Sequence, residues 1–256
     1  MNEYVIAIFS DEANAAKGVQ ALEALHAAGT LTVYGTIVVR RDANGDLTIE
    51  QRSEQGPATA GVGSLLGGLI GLFGARAGAF WRDHLRTEVS DEFLDDVVRE
   101  LVPDKHAVIA EVSRDSSTSI DAPIEALGGT VLRERRDDLS ADLIEKRVGS
   151  RTAELAEWKA QRAAETVEKI GSTLEAEIEQ AQARLQRMAE TAKQRLHDTK
   201  EELEAKLAAL DKQAAKAKSD VKAQIERRMD DLRKELHDRQ KKLAHAWEEA
   251  RQALLH

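Results

Sequence analysis

Apolar residues recur every three or four positions from residue 172 to 256, a stretch that contains neither glycine nor proline. The stripe reads Leu174, Ile178, Ala181, Leu185, Met188, Ala192, Leu196, Thr199, Leu203, Leu207, Leu210, Ala214, Ala217, Val221, Ile225. Its period is about 3.64 residues, above the 3.5 of a left-handed coiled coil and close to the 3.67 of an eleven-residue repeat. The pattern predicts one long amphipathic helix in a nearly straight or weakly right-handed bundle. Ser140 is a suitable N-cap for its start, and Gly149 and Gly171 are the only weak points before the unbroken run. Acid-before-base pairs four residues apart, Glu165 with Lys169, Glu202 with Lys206, Asp230 with Lys234 and Asp238 with Lys242, support the helix. Unbroken from 142 to 255 it would be about 170 Å long, far longer than a small head domain about 30 Å across. The stripe is therefore expected to find partners outside its own head, with Leu185, Leu196, Leu203, Leu207, Leu210, Val221 and Ile225 as the seam of an oligomer. A lipid surface is the alternative, weakened because the flanking lysines are matched by acids and the face lacks aromatic residues.

Residues 1–139 alternate differently. Tyr4 to Phe9 reads as a buried strand, with Ser10 as the cap of a helix carrying Ala15, Val19, Leu22 and Leu25 and ended by Gly29. Val33 to Arg40 and Leu47 to Gln51 read as strands joined by the turn Asp42-Ala43-Asn44-Gly45, where Asn-Gly tolerates positive φ. Ser90 caps a helix from Asp91 to Leu101 that Pro103 stops. His106 to Val112, the short helix Ile120 to Leu127 and Thr130 to Arg135 repeat the strand-helix-strand logic. Two such units, the first extended by a hairpin, predict an α+β head of ferredoxin-like type, an antiparallel sheet with helices on one face. The long helical stalk, residues 140–256, follows it.

An insertion at residues 57–102 separates the two units. Residues 58–75 carry no charge, Arg76 interrupts, and Ala77 to Trp81 continues apolar. Gly63, Gly67 and Gly71 are spaced by four, as are Gly74 and Gly78, so each set lines one edge of a helix. Glycines along an edge let another backbone approach closely. Each costs about 1 kcal/mol of helix stability relative to alanine, so compensating packing is expected. That packing is either protein, with Gly63, Gly67 and Gly71 against the helix holding Trp81 to Leu85 or a second chain's copy, or membrane. Eighteen uncharged residues make only a marginal span.

Composition narrows the function classes. The 256 residues include no cysteine, which excludes disulfides and thiolate chemistry. Only 4% are aromatic and 32% are charged, as suits a long solvated helix. The first 139 residues carry 13 basic against 23 acidic side chains, the rest 24 against 23. An acidic head and a neutral stalk do not offer the clustered basic face of a nucleic-acid binder; Lys212, Lys216, Lys218 and Lys222 are interrupted by Asp220. The N-terminus lacks a basic region and reads as a strand, so a cytoplasmic protein, with membrane association as a further expectation, is inferred.

No residues present themselves for catalysis. Asp42, Asn44 and Asp46 alternate as in a calcium loop, but Gly45 does not occupy the required glycine position. Asp91, Glu92, Asp95 and Asp96 suit a helix N-terminus. The histidines His26, His84, His106, His197, His237 and His245 show no ligand spacing. The expectation is a chain that is not an enzyme and uses no cofactor or metal.

The strand Tyr4 to Phe9, the hairpin around Asn44-Gly45, the insertion Gly61 to Gly78 and the ending Ala126-Leu127-Gly128-Gly129-Thr130-Val131-Leu132 resemble a bacterial family of uncharacterised "predicted membrane proteins", the domain of unknown function twelve-sixty-nine. The resemblance covers about residues 3–136. It implies a ferredoxin-like core with an inserted glycine-rich helical element and membrane association, and no catalytic residues. The long stalk departs from it. The functional expectation is a self-associating scaffold protein that forms homo-oligomers through the glycine-rich helix and the stalk. The alternative is a membrane-associated envelope or stress protein.

Overall fold

The computed structural model describes residues 2–53, 56–74, 89–115, 119–136, 139–164 and 172–255. The elements are β1 (Asn2–Phe9), α1 (Glu12–Ala27), β2 (Leu31–Arg41), β3 (Leu47–Arg52), a 3-10 turn at Pro57–Thr59 and α2 (Ala60–Phe73). They continue with α3 (Asp91–Glu100), β4 (His106–Arg114), α4 (Asp121–Glu125), β5 (Thr130–Arg135), α5 (Leu139–Ala164), α6 (Ser172–Lys216) and α7 (Ser219–Leu255). Arg76, Gly78 and the expected helix Trp81 to Leu85 lie outside the described residues, as does Gly171.

The chain forms two compact units. The first contains Met1–Asp137 and Glu201–Glu235; the second contains Asp138–Lys200 and Leu236–His256.

In the first unit five antiparallel strands lie in the order β3-β2-β4-β1-β5. Because strand side chains alternate, each strand feeds both faces. Val5, Ala7, Val38, Val108, Ala110 and Val112 pack with α1 and α4 on one face. Tyr4, Ile6, Ile8, Ile37, Val39 and Ile109 pack with α2 and α3 on the other. The expectation of helices on one face is thus corrected: the insertion supplies the second layer, and the central strands are buried throughout. The helix caps follow the sequence with one shift. Asp11, not Ser10, caps α1, accepting the Asn14 N–H at 2.8 Å. That amide bond holds its carboxyl below the ordinary range.

The glycine segment packs by a different edge from the one its spacing suggested. In α2 the residues against the sheet are Gly61, Val62, Leu65, Leu66, Gly68 and Leu69. A β-carbon built at Gly61 would lie 2.5 Å from Glu111 Oε2 and 3.0 Å from Tyr4 Oη. One at Gly63 or Gly67 would meet nothing within 4 Å. The close approach therefore belongs to Gly61, and among the described residues no helix sits on Gly63 or Gly67. Gly71 is half-buried, and Gly74 ends the helix. Opposite outcomes follow for one substitution made at two glycines of the same helix. Gly67→Ala should raise stability by about 1 kcal/mol, whereas Gly61→Ala should lower it by about 1–3 kcal/mol through overpacking. Urea titration of the two variants checks the sign.

The stalk is not one helix. It breaks at Ala217 and Lys218, between α6 and α7, without glycine or proline. The break has local signals: Lys212 and Lys216 end α6, where cations favour a C-terminus, and Ser219 and Asp220 open α7, where a hydroxyl and an acid favour an N-terminus. Gln213 and Arg228 both hydrogen-bond Thr32, so the chain doubles back. The turn rests on the head: Val221 and Ile225 pack over Gly29, whose φ of +75° is left-handed.

In the second unit Val148 and Leu155 of α5, Leu174 through Ala192 of α6, and Ala246 and Ala250 of α7 share one apolar core. Lys242 bonds Asp142 of α5 rather than Asp238 of its own helix, and Lys159 donates to the Ala253 carbonyl at 3.0 Å. Part of the stripe is thus covered within the chain. Leu185, Leu210 and Ile225 are buried within this single chain, and Leu196, Leu203, Leu207 and Val221 are half-buried.

Candidate functional site

The strand β4 reads His-Ala-Val-Ile-Ala-Glu-Val-Ser-Arg and is buried along its whole length. Glu111 therefore sits inside, on the face that carries Tyr4 and Ile109. A carboxylate there needs partners, because an unpaired buried charge costs several kcal/mol. Arg136, just after β5, donates to its Oε1 at 2.8 Å. Lys206 of α6, 0% exposed, donates to the same oxygen at 2.5 Å. Both cations also bond Glu202, one turn before Lys206. Two acids and two bases make a neutral cluster, enclosed further by Tyr34, whose ring lies 4.9 Å from Lys206 Nζ, and by Tyr4 beneath Arg136.

The charges in this cluster are mutually held. Burial pushes Glu202 up, but Arg136 and Lys206 outweigh it and keep the carboxyl well below its ordinary range. Burial works against the Arg136 guanidinium, yet Glu111, Tyr4 and Glu202 hold its proton firmly. Burial, then the neighbouring Glu111 charge, raises the Tyr34 phenol above its usual value.

A second polar node lies at the α1–β2 corner. Gln213 Nε2 donates to the carbonyls of His26 at 2.6 Å and Leu31 at 2.7 Å, while its Oε1 accepts from the Thr32 hydroxyl. Arg228, 1% exposed, donates to Thr32 Oγ1 at 2.9 Å, to the Ser113 carbonyl and to the Gly29 carbonyl. Its partners are all neutral, so burial lowers its proton affinity, with Asp115 and Tyr34 opposing. The Val33 N–H donates to His26 Nδ1 at 3.1 Å.

No local sequence motif marks this constellation. Glu202 and Lys206 have the spacing of a pair that supports its own helix, and both are buried and bonded to Glu111 and Arg136. The available signal was a charged residue, Glu111, at an inward position of an apolar strand. A second signal was the polar row Glu202, Lys206 and Gln213 beside the leucines of α6.

Asp42 Oδ1 accepts the N–H groups of Asn44 and Asp46, so it closes its own turn, and Gly45 has φ +94°. Asp91 and Glu92 lie in the first turn of α3, where the Ser90 hydroxyl accepts the Phe93 N–H at 3.2 Å. His106 Nδ1 pairs with Glu50 at 2.9 Å and His245 with Glu145 at 3.1 Å. No group of three metal-ligating side chains occurs among the described residues.

The outer face of α2 presents Ala60, Gly63, Gly67 and Ile70, the last 38% exposed. Beside it a groove of about 360 Å³ is lined by Ile37, Arg52, Ser53, Thr59, Val62 and Gly63, among others. No helix among the described residues is long and apolar enough to cross a membrane.

These features define an α+β protein with a buried charged cluster in its first unit and an exposed row of small and apolar residues on α2. Comparison with known protein families, curated proteins and solved structures finds no match for this chain.

Proposed function

We propose that the chain is a non-enzymatic, self-associating scaffold protein with a ferredoxin-like head. The sheet order supports that assignment of the head, because the units β1-α1-β2 and β4-α4-β5 interleave in one antiparallel sheet, with β3 added beside β2. The observation that carries the self-association is the open row Ala60, Gly63, Gly67 and Ile70 on α2. The glycines of this face let a second backbone come close, and the same face on a second copy is its self-complement. Part of the stalk stripe is covered within the chain, and the contact between copies is assigned to the head.

Sedimentation velocity across a concentration series tests this reading. Wild type should associate, and Gly67→Leu should weaken association by at least about tenfold, or 1.4 kcal/mol. The open space over Gly67 means that the folded chain accommodates the leucine. A wild-type protein that stays monomeric at every concentration, or a variant that associates equally well, refutes it.

A second reading follows from the resemblance to the membrane-protein family and from Ile70 on an uncharged surface: α2 rests on lipid by its outer face. Fourteen residues extend only about 21 Å, less than the roughly 30 Å hydrocarbon core of a bilayer, so the contact would be peripheral. Failure to float with liposomes rejects it.

A further inference from the structure

The turn between α6 and α7 is held to the head by polar groups, and one of the groups facing them is a histidine. His26 ends α1. Its Nδ1 accepts the Val33 N–H at 3.1 Å, and the next atom facing that nitrogen, at 3.5 Å, is Gln213 Nε2. The Gln213 amide cannot turn over to offer an oxygen instead. Its Nε2 feeds two carbonyls and its Oε1 takes the Thr32 hydroxyl. The Thr32 hydroxyl, donating to Gln213, is left to accept from Arg228. The order Arg228 to Thr32 to Gln213 to the His26 carbonyl fixes every donor along the row, and Nδ1 must be an acceptor.

We infer that this turn is an acid-released clasp, seated on the α1–β2 corner while His26 is neutral and set free when the imidazole gains its second proton. A proton on Nδ1 would point into two N–H donors. The charged groups acting on the ring come from each element around it: Arg228 from α7, Lys216 from α6 and Glu23 from α1 itself. Two of the three are cations. Relief requires the ring to rotate away, which removes the acceptor for Val33 and disturbs the backbone carbonyl that Gln213 holds. Arg228, Gln213 and Thr32 regain water on release, so opening leaves few groups unsatisfied. The apolar part of the turn includes the buried Leu210, Ala214, Ile225, Met229 and Leu232, with Val221 and Ile225 over Gly29.

The pH window follows from the sign. Burial, then Arg228 and Lys216, lowers the proton affinity of His26 in the seated state, with Glu23 opposing. Seating is at full strength above the ordinary histidine value of about 6.5 and weakens as pH falls below it. Each unit of separation between the seated and free values changes the opening equilibrium about tenfold. Glu202 is held well below the carboxylate range and stays charged throughout this window.

The absence of cysteine allows a direct test on the full chain. Nitroxide labels at Ala24→Cys and Lys212→Cys, both exposed positions, report the distance across the seat by pulsed electron resonance. At about pH 7.5 a single short distance is expected, and at about pH 5.5 a longer, broader population should grow, by at most about tenfold. In the same chain carrying His26→Gln, whose amide oxygen still accepts from Val33, the short distance should persist at both pH values. An identical wild-type distribution at the two pH values, or opening of His26→Gln alongside wild type, overturns the proposal. If His26→Gln fails to seat at neutral pH, the ¹⁵N titration of His26 in wild type decides. Its midpoint must coincide with the opening midpoint, and opening completed while the ring is still neutral overturns the clasp.

Discussion

Lys206→Met is expected to destabilise the first unit by about 3–5 kcal/mol, the cost of leaving a buried ion cluster one charge short. The lysine is fully enclosed and bonds both Glu111 and Glu202. Without it two carboxylates share the single guanidinium of Arg136, and neither can reach water. Adding Glu202→Leu restores the balance of one acid to one base, and the double variant should be more stable than the single one. Neighbouring sites of this kind are not additive, so the sign of the difference is the test. Hydrogen exchange of the β4 amides reads the unit directly. The acid side follows from Glu202. Its carboxyl is lowered in the folded chain by Arg136 and Lys206, which outweigh burial. Its contribution is therefore complete above the unfolded carboxylate value of about 4.3 and is lost as pH falls below it. Glu202→Gln should flatten the stability profile in that range and leave the slope above pH 5 unchanged.

Leu185→Ala is expected to cost the second unit about 2–5 kcal/mol. Leu185 is fully buried among Val148, Ile178, Ala189 and Ala246 of its own chain, with the other members of the core. The half-buried Leu196 should cost less on the same change. The loss at Leu185 should not depend on protein concentration, because its neighbours are in cis. A cost that vanishes on dilution would place its partners on another chain. Circular dichroism during urea unfolding at two concentrations a hundredfold apart makes the comparison.

Much of the head was legible from residue pattern. The strand Thr130–Arg135 has the bounds its sequence suggested, and the turn at Asp42 to Gly45 and the Ser90 cap form where their chemistry requires. These features are local: alternation, a positive φ and an N-cap hydroxyl each declare themselves within a few residues. What escaped is non-local. Glycines four apart mark two edges of α2, and nothing local says that Gly61 meets Glu111 while Gly67 meets open space. The stripe of α6 and α7 is real, but periodicity alone does not say whose apolar surface covers it. The break at Ala217 and Lys218 was masked by good helix formers on both sides. It shows only as a lysine-rich end followed by Ser219 and Asp220. The buried cluster was masked for another reason. Glu202 and Lys206 satisfy the spacing of an exposed helix pair, and the strand residue that draws them inward lies about ninety positions away.

The central claim is that the α6–α7 turn covers the head of its own chain. Asn2 Nδ2 donates to Glu235 at 3.3 Å across that contact. Cysteines at Asn2 and Glu235, joined by a short thiol-specific cross-linker in an equal mixture of isotopically light and heavy full-length protein, test it by mass spectrometry. Cross-links are expected only within light chains and within heavy chains. Cross-links joining light to heavy in the statistical proportion would show the turn seated on a neighbouring copy and would contradict it.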